Sequence, residues 1–151
     1  MIKRTLIFCV VISTVLFLYA GKRKKNIDNL PLYNTKWLLE EIYEKPIVQS
    51  SDTAFIIFNE NNKFSGNLGC NLFFGEFTFG KKRIKLDYFG ATKKYCKDSS
   101  VEELFTKALR DDITHYIIEN NKLYLRNKTQ VICKFEGVIS SIKTEFLNQE
   151  K

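Results

Sequence analysis

The sequence predicts an α+β domain, an antiparallel meander of short strands with one amphipathic helix packed against it. Three observations carry this. The chain is 44% hydrophobic and 14% aromatic, with 13 phenylalanines and 7 tyrosines, which suits pleated, half-buried surfaces better than helical bundles. Between residues 36 and 135, apolar residues mostly recur in short segments broken by Asn-, Gly- and Lys-rich turns. One segment alone, 99–111, has its apolar residues at helical spacing along a single stripe. At 151 residues there is room for one domain with a real core.

The chain begins with a short basic stretch (Lys3, Arg4) and an uncharged run from Thr5 to Gly21. Residues 1–21 therefore read as a signal peptide, cut after Ala20 or Gly21, or as a retained membrane anchor. The run is at the short end of what spans a bilayer, and both readings stay open. Either one predicts an exported or membrane-anchored protein of the bacterial periplasm or cell envelope, with membrane anchoring, if retained, through residues 5–21. Cys9 lies in mid-run, so it is not a lipid-attachment cysteine. Residues 22–34 read as a basic and polar linker.

The strands follow in order. Segment 36–43 (KWLLEEIY) carries Trp37, Leu39 and Ile42, an imperfect alternation. Segment 53–59 is a dense apolar run ending in the turn composition ENN, and 63–66 restarts. In 72–79, Phe73, Gly75, Phe77 and Phe79 share one face. In 83–89, Ile84, Leu86 and Tyr88 share another. The helix places Val101, Leu104, Phe105, Ala108 and Leu109 on one stripe, with Ser99–Glu102 or Ser100–Glu103 as a capping box. Segments 115–119, 122–126 and 130–135 close the domain, joined by NN and NKT turns. In the last of these Cys133 reads as a small core hydrophobe. The domain spans 35–137, and the tail 138–151 has a weak helical pattern.

Composition also excludes function classes. The net charge of +7 suggests nucleic acid, but six of the 24 Lys and Arg residues flank the apolar run. That leaves 18 against 17 acidic residues in 26–151, no basic footprint for phosphates. The single histidine, His115, starts a strand and reads as an edge residue. No spacing of His and Cys suits a metal, and no glycine-rich loop runs into a helix to hold phosphate. The expectation is a non-enzyme without metal or cofactor.

The stretch GNLGCNLFFGEF (66–77) stands out, with three of the chain's seven glycines around one cysteine and one asparagine. Gly66 and Gly69 are expected to let the chain turn between two strands, and Asn71 to bond back to nearby backbone. Gly75 is expected to relieve crowding where the sheet curls. With Trp37, Thr92, Cys96, Glu103, Leu109, Leu123 and Leu125 in the same order along the chain, this pattern resembles the META-domain family of heat-inducible, HslJ-like proteins. The resemblance covers about residues 35–136, and G-x-x-G-C-N with a downstream T-x-x-x-C is its most specific part. This chain departs in carrying Lys94 and Tyr95 where members often have methionine and alanine.

The resemblance implies a sheet curled into a partial, cracked β-barrel with a helix packed against it. It also implies links to heat response, drug tolerance, motility or secretion, with no established reaction. Members look similar in fold to secretion pilot lipoproteins, which bind hydrophobic protein segments, an analogy that says little about function. In this frame Cys70, at the bend, and Cys96, just before the helix, are expected to approach each other. They then form a disulfide or pack as two half-buried thiols, and the sequence leaves both open.

Function at this point is expected to be non-enzymatic binding of an envelope protein segment or a hydrophobic ligand. The binding groove would lie between helix and sheet, with Phe73, Phe77, Tyr88 and Phe105 as candidate lining residues, a residue type that in such positions is more often simply core. The alternatives are a structural, stress-protective domain with a filled interior and no ligand site, or a small hydrolase that uses His115.

Overall fold

A computed structural model describes residues 29–49 and 52–138. The leader, residues 22–28 of the linker and the tail from 139 lie outside the described residues, as does the side chain of Tyr88. The elements are β1 (Lys36–Ile42), β2 (Lys45–Pro46), β3 (Phe55–Phe58), β4 (Lys63–Asn67), β5 (Leu72–Phe79), β6 (Ile84–Ala91), α1 (Ser100–Leu109), β7 (His115–Glu119), β8 (Lys122–Arg126) and β9 (Val131–Val138). The strands form one antiparallel sheet in the order β6-β5-β4-β3-β1-β9-β8-β7, with β2 paired to β1 off this path. It curls into a nearly closed barrel with one unsealed seam, between β6 and β7. There the strands meet only at an Arg83–His115 bridge, flanked by Ile84 N–H to Thr114 O at 3.2 Å and Tyr116 N–H to Lys82 O at 3.3 Å.

Three register shifts explain where simple alternation fails. In β1 the shift lies between Leu39 and Glu41. Trp37, Leu39 and Ile42 can then all face inward, while Glu40 and Glu41 both face out. In β9 the shift opposite Leu125 and Arg126 turns both Ile132 and Cys133 into the core, where the sequence put them on opposite faces. In β6 four residues, Leu86 to Phe89, lie opposite three of β5, Gly75 to Phe77. Phe89 is thereby brought against Phe64 and Phe73, with ring centroids 6.4 and 6.1 Å apart. Among the described side chains of β6, Ile84, Leu86 and Phe89 pack on the core.

The interior is packed with rings. Phe58, Phe64, Phe73, Phe77, Phe105 and Phe135 are all at most 1% exposed. They touch in sequence across the core, Phe73 edge-on to Phe105 and Phe105 tilted against Phe135. Phe79, expected on the inner face of β5, is 47% exposed; it lies at the strand's end and stacks edge-on with Tyr33 at 5.2 Å. Residues 29–34, read as linker, belong to this body. Leu32 is buried, and its carbonyl accepts the indole N–H of Trp37 at 3.0 Å. The β7–β8 turn uses Asn120 and Asn121, both at positive φ, as the NN composition predicts. The β1–β2 turn was not foreseen, because it places Tyr43 and Glu44, residues that rarely adopt it, at φ 49° and 62°.

Helix α1 packs Val101, Phe105, Ala108 and Leu109 inward. Leu104, expected on that stripe, is 49% exposed. Leu104 and Glu102 lie on opposite margins of the buried stripe, and it is the Glu102 margin that is drawn toward the barrel. Neither capping box forms. Ser99 is the N-cap without a side-chain cap bond, and its hydroxyl donates to Glu103 Oε1 at 2.6 Å. Asp98 Oδ1 accepts the Ser100 N–H instead, at 2.9 Å.

Candidate functional site

The glycine–cysteine bend lies between β4 and β5. Gly69 has φ 111°, a conformation that favours glycine, and its N–H donates to Asn67 Oδ1 at 2.7 Å. Leu68 N–H to Asn71 O, 2.8 Å, closes the loop. Gly66 does not turn the chain. It lies within β4, paired with Ile56 and Phe73, and its need is room. A Cβ there would collide with the Phe55 carbonyl oxygen and come within 2.6 Å of the Phe73 ring. Gly75 sits beside the β5–β6 register shift, where the sheet curls.

Asn71, 4% exposed, is the hub. Its Oδ1 accepts from the Thr92 hydroxyl and from Lys94 N–H, both at 2.8 Å. Its Nδ2 donates to both Glu102 carboxylate oxygens, at 3.0 and 3.1 Å, and to Lys94 O at 3.3 Å. Its backbone N–H also donates to Glu102 Oε2, at 2.9 Å. Thr92 Oγ1 in turn accepts Leu72 N–H at 3.1 Å. The sequence expected Asn71 to serve its own bend. Most of its side-chain bonds instead reach residues 21 to 31 positions away, fastening the loop 92–98 and the first turn of α1 to β5. Such a network, with every member satisfied, rigidifies its surroundings; among the described residues no buried side-chain nitrogen or oxygen lacks a partner.

Beside the hub Cys70 and Cys96 are joined in a disulfide, with Cα atoms 6.3 Å apart and a sequence separation of 26. Closing a loop of that length contributes about 3–4 kcal/mol by restricting the unfolded chain. The structure thus gathers Gly69, Cys70, Asn71, Thr92 and Cys96 at one place and adds Glu102. Sequence reasoning missed Glu102 by reading it as a capping-box acid. The available signal was its position three residues before Phe105 and seven before Leu109, on the border of the buried stripe. Trp37 stands apart, 0% exposed in the core and against Gly137, where a Cβ would come within 2.7 Å of the indole.

The expected groove lining is not there. Phe73, Phe77 and Phe105 are core residues, at most 1% exposed, because the inner faces of the barrel and the helix interdigitate without leaving a channel. A cleft of about 690 Å³ does run beside α1, but Tyr43, Thr106, Arg110 and Asp111 line it. Burial, with the hydrogen bond that the Tyr43 hydroxyl donates to Asp111 Oδ2 at 3.1 Å, raises the Tyr43 pKa. A second groove, about 570 Å³, lies on the outer face of the sheet between Lys63, Ser65, Phe74, Glu76 and Asp87. Here Phe74 is 60% exposed, and Leu72, two residues before it in β5, is 55% exposed. His115 is hydrogen-bonded through Nδ1 to the Thr114 hydroxyl at 2.9 Å. Cys133 is buried and free, its thiol pKa pushed up by that burial.

Fold and site together define a class: a small aromatic-filled antiparallel barrel with one unsealed seam and one helix, packed on the core and tied down at a Gly-Cys-Asn bend. The chain belongs to the META-domain family, whose model matches residues 29–137. Two solved structures share the fold. One, determined by NMR, is 22% identical with a TM-score of 0.53, covering 68% of this chain and 88% of that one. The other, an NMR structure of a protein from Burkholderia xenovorans, is 17% identical with a TM-score of 0.58, covering 80% and 99%. Among curated proteins none matches the chain. No helix among the described residues is long and apolar enough to cross a membrane.

Proposed function

We propose that this META domain is a non-enzymatic, envelope-associated module that holds an extended apolar protein segment against the outer face of its sheet. The observation that carries the reading is Phe74, 60% exposed at the rim of the outer groove. A large ring held in water on a rigid strand is an anchor for a partner side chain. The interior offers no competing site, since its rings fill it, and the Gly-Cys-Asn residues are engaged with one another. Envelope association rests on the apolar run 5–21. The non-catalytic reading rests on the lone histidine, whose hydrogen-bond partner is the hydroxyl of the adjacent threonine on the same strand edge. The hydrolase alternative draws no support from that arrangement.

The filled interior also favours a second reading, a structural and stress-protective domain without a ligand site. Titrating a capped ten-residue Val/Leu/Phe peptide into isotope-labelled protein separates the two. Binding should shift the amide resonances of Ser65, Phe74 and Asp87, and Phe74→Lys should weaken it about tenfold or more, the equivalent of one buried side chain. Resonances unmoved at millimolar peptide, or a response indifferent to F74K, would leave the structural reading in place.

A further inference from the structure

The disulfide partners have a third neighbour. The Sγ atoms of Cys70 and Cys96 and a carboxylate oxygen of Glu102 all lie within 4.8 Å of one another, and Cys96 Sγ is 4.0 Å from Glu102 Oε2. We propose that, once the disulfide is reduced, Cys70, Cys96 and Glu102 form a binding site for a thiophilic divalent metal ion, with zinc the best fit. The spacing of Cys and His along the chain gives no hint of it; the fold assembles it from the bend, the loop and the helix.

The donor set suits the metal. Zinc takes four tetrahedral ligands, with bonds of about 2.3 Å to sulfur and about 2.0–2.2 Å to carboxylate oxygen. In that geometry two sulfurs stand about 3.8 Å apart and sulfur and oxygen about 3.5 Å apart. Parting the two sulfurs, and drawing the carboxylate in by about half an ångström towards Cys96 and by at most about 1.3 Å towards Cys70, meets these values, with water as the fourth ligand. Glu102 is already oriented for the task. Asn71 holds the carboxylate with three hydrogen bonds, which leaves capacity for one more partner. Among the described residues, no lysine or arginine forms an ion pair with it. The Asn71 Nδ2–H also lies 3.5 Å from Cys96 Sγ, the kind of outer support that stabilises a ligating thiolate.

The chemistry balances with a dithiol as reductant. It gives up two electrons and two protons and leaves as a cyclic disulfide, while the Cys70–Cys96 bond breaks to two thiols. The metal ion then displaces both thiol protons to solvent and binds the two thiolates and Glu102. The disulfide and the metal are thus mutually exclusive occupants of one site. This inference is independent of the outer groove.

Cobalt(II) is the probe. Full-length protein carrying Cys9→Ser is reduced with a dithiol, freed of it without air, and titrated with cobalt. The expected result is one equivalent bound, with thiolate-to-cobalt charge-transfer absorption and the intense visible bands of a tetrahedral centre, both removed by zinc. The unreduced protein should show neither. Cys96→Ser should abolish the bands, and Glu102→Gln should weaken cobalt affinity at least tenfold, with Glu102→Asp between. If circular dichroism shows that the reduced chain has unfolded, stoichiometric zinc should refold it. Absence of the charge-transfer band in folded reduced protein, failure of zinc to refold an unfolded one, or unchanged affinity in E102Q would each overturn the proposal.

Discussion

The barrel is closed in two places by different chemistry. Between β1 and β9 the closure is a continuous backbone ladder, six paired positions from Lys36–Val138 to Ile42–Cys133. Its outer side carries a cluster of charges: Lys122 Nζ lies 2.7 Å from Glu40, and Lys134 pairs with Glu40 and Glu41. Between β6 and β7 the strands meet at a single bridge, and α1, the segment that links them along the chain, packs on the core with Phe105 between Phe73 of β5 and Phe135 of β9. That helix is held by side chains, through Asn71, Glu102 and the Cys70–Cys96 bond. Where strands pair, generic alternating residues are enough. Where a helix must be held without a ladder, particular side chains do it, and those are the residues that make this sequence distinctive.

Substitutions can break the comparison, beginning at the helix. Phe105→Ala removes the ring by which α1 packs between Phe73 and Phe135, and should cost about 3–5 kcal/mol in chemical denaturation, as for other buried aromatic truncations. Asn71→Ala should cost about 2–3 kcal/mol, because it strands the Thr92 hydroxyl, the Lys94 amide and the Glu102 carboxylate together. Its signature is regional: hydrogen exchange should accelerate across 92–110 while the β1–β9 amides stay protected. Equal acceleration in both places would show that the two closures are not separable.

The smallest effect belongs to the ladder side. Glu40→Gln should cost at most about 1 kcal/mol at neutral pH, since its partners are partly solvated. Burial alone would raise the Glu40 pKa, but the hydrogen bond from Lys122 and the charges of Lys122 and Lys134 outweigh it, and hold the pKa below its ordinary 4.5. With the folded value below the unfolded one, the stabilisation is complete above the unfolded pKa and disappears as pH falls through the folded one. Wild type and E40Q should therefore converge in stability on acidification, and denaturation midpoints measured from pH 7 down to pH 3 would check it.

Much of the fold is legible because strands and helix announce themselves by period. The strands at 36–43, 53–59, 72–79 and 115–126 and the helix stripe are where periodicity puts them. The misreadings of face in β6 and β9 have a common cause, the register shift. An extra residue at Glu40, at Ile132 or within 86–89 re-phases everything after it, and no local composition marks the spot. The site was half legible. Cys70, Asn71, Thr92 and Cys96 were visible as a motif, but what binds them together is Glu102, which looks like any acid in a helix's first turn. The groove expectation failed because an aromatic side chain on an inward strand position does not reveal whether the space in front of it is filled, as Phe105 fills it here.

The ladder between β1 and β9 has a consequence for synthesis. Glu41 and Lys134, which meet across it, are 93 residues apart, so β1, which leaves the ribosome before the other described strands, waits for β9 before one of its edges is covered. Meanwhile the nascent chain carries an open β edge. Lys36, Glu40 and Glu41, facing out of β1 as charges of both signs, would discourage a neighbouring chain from docking there during the wait.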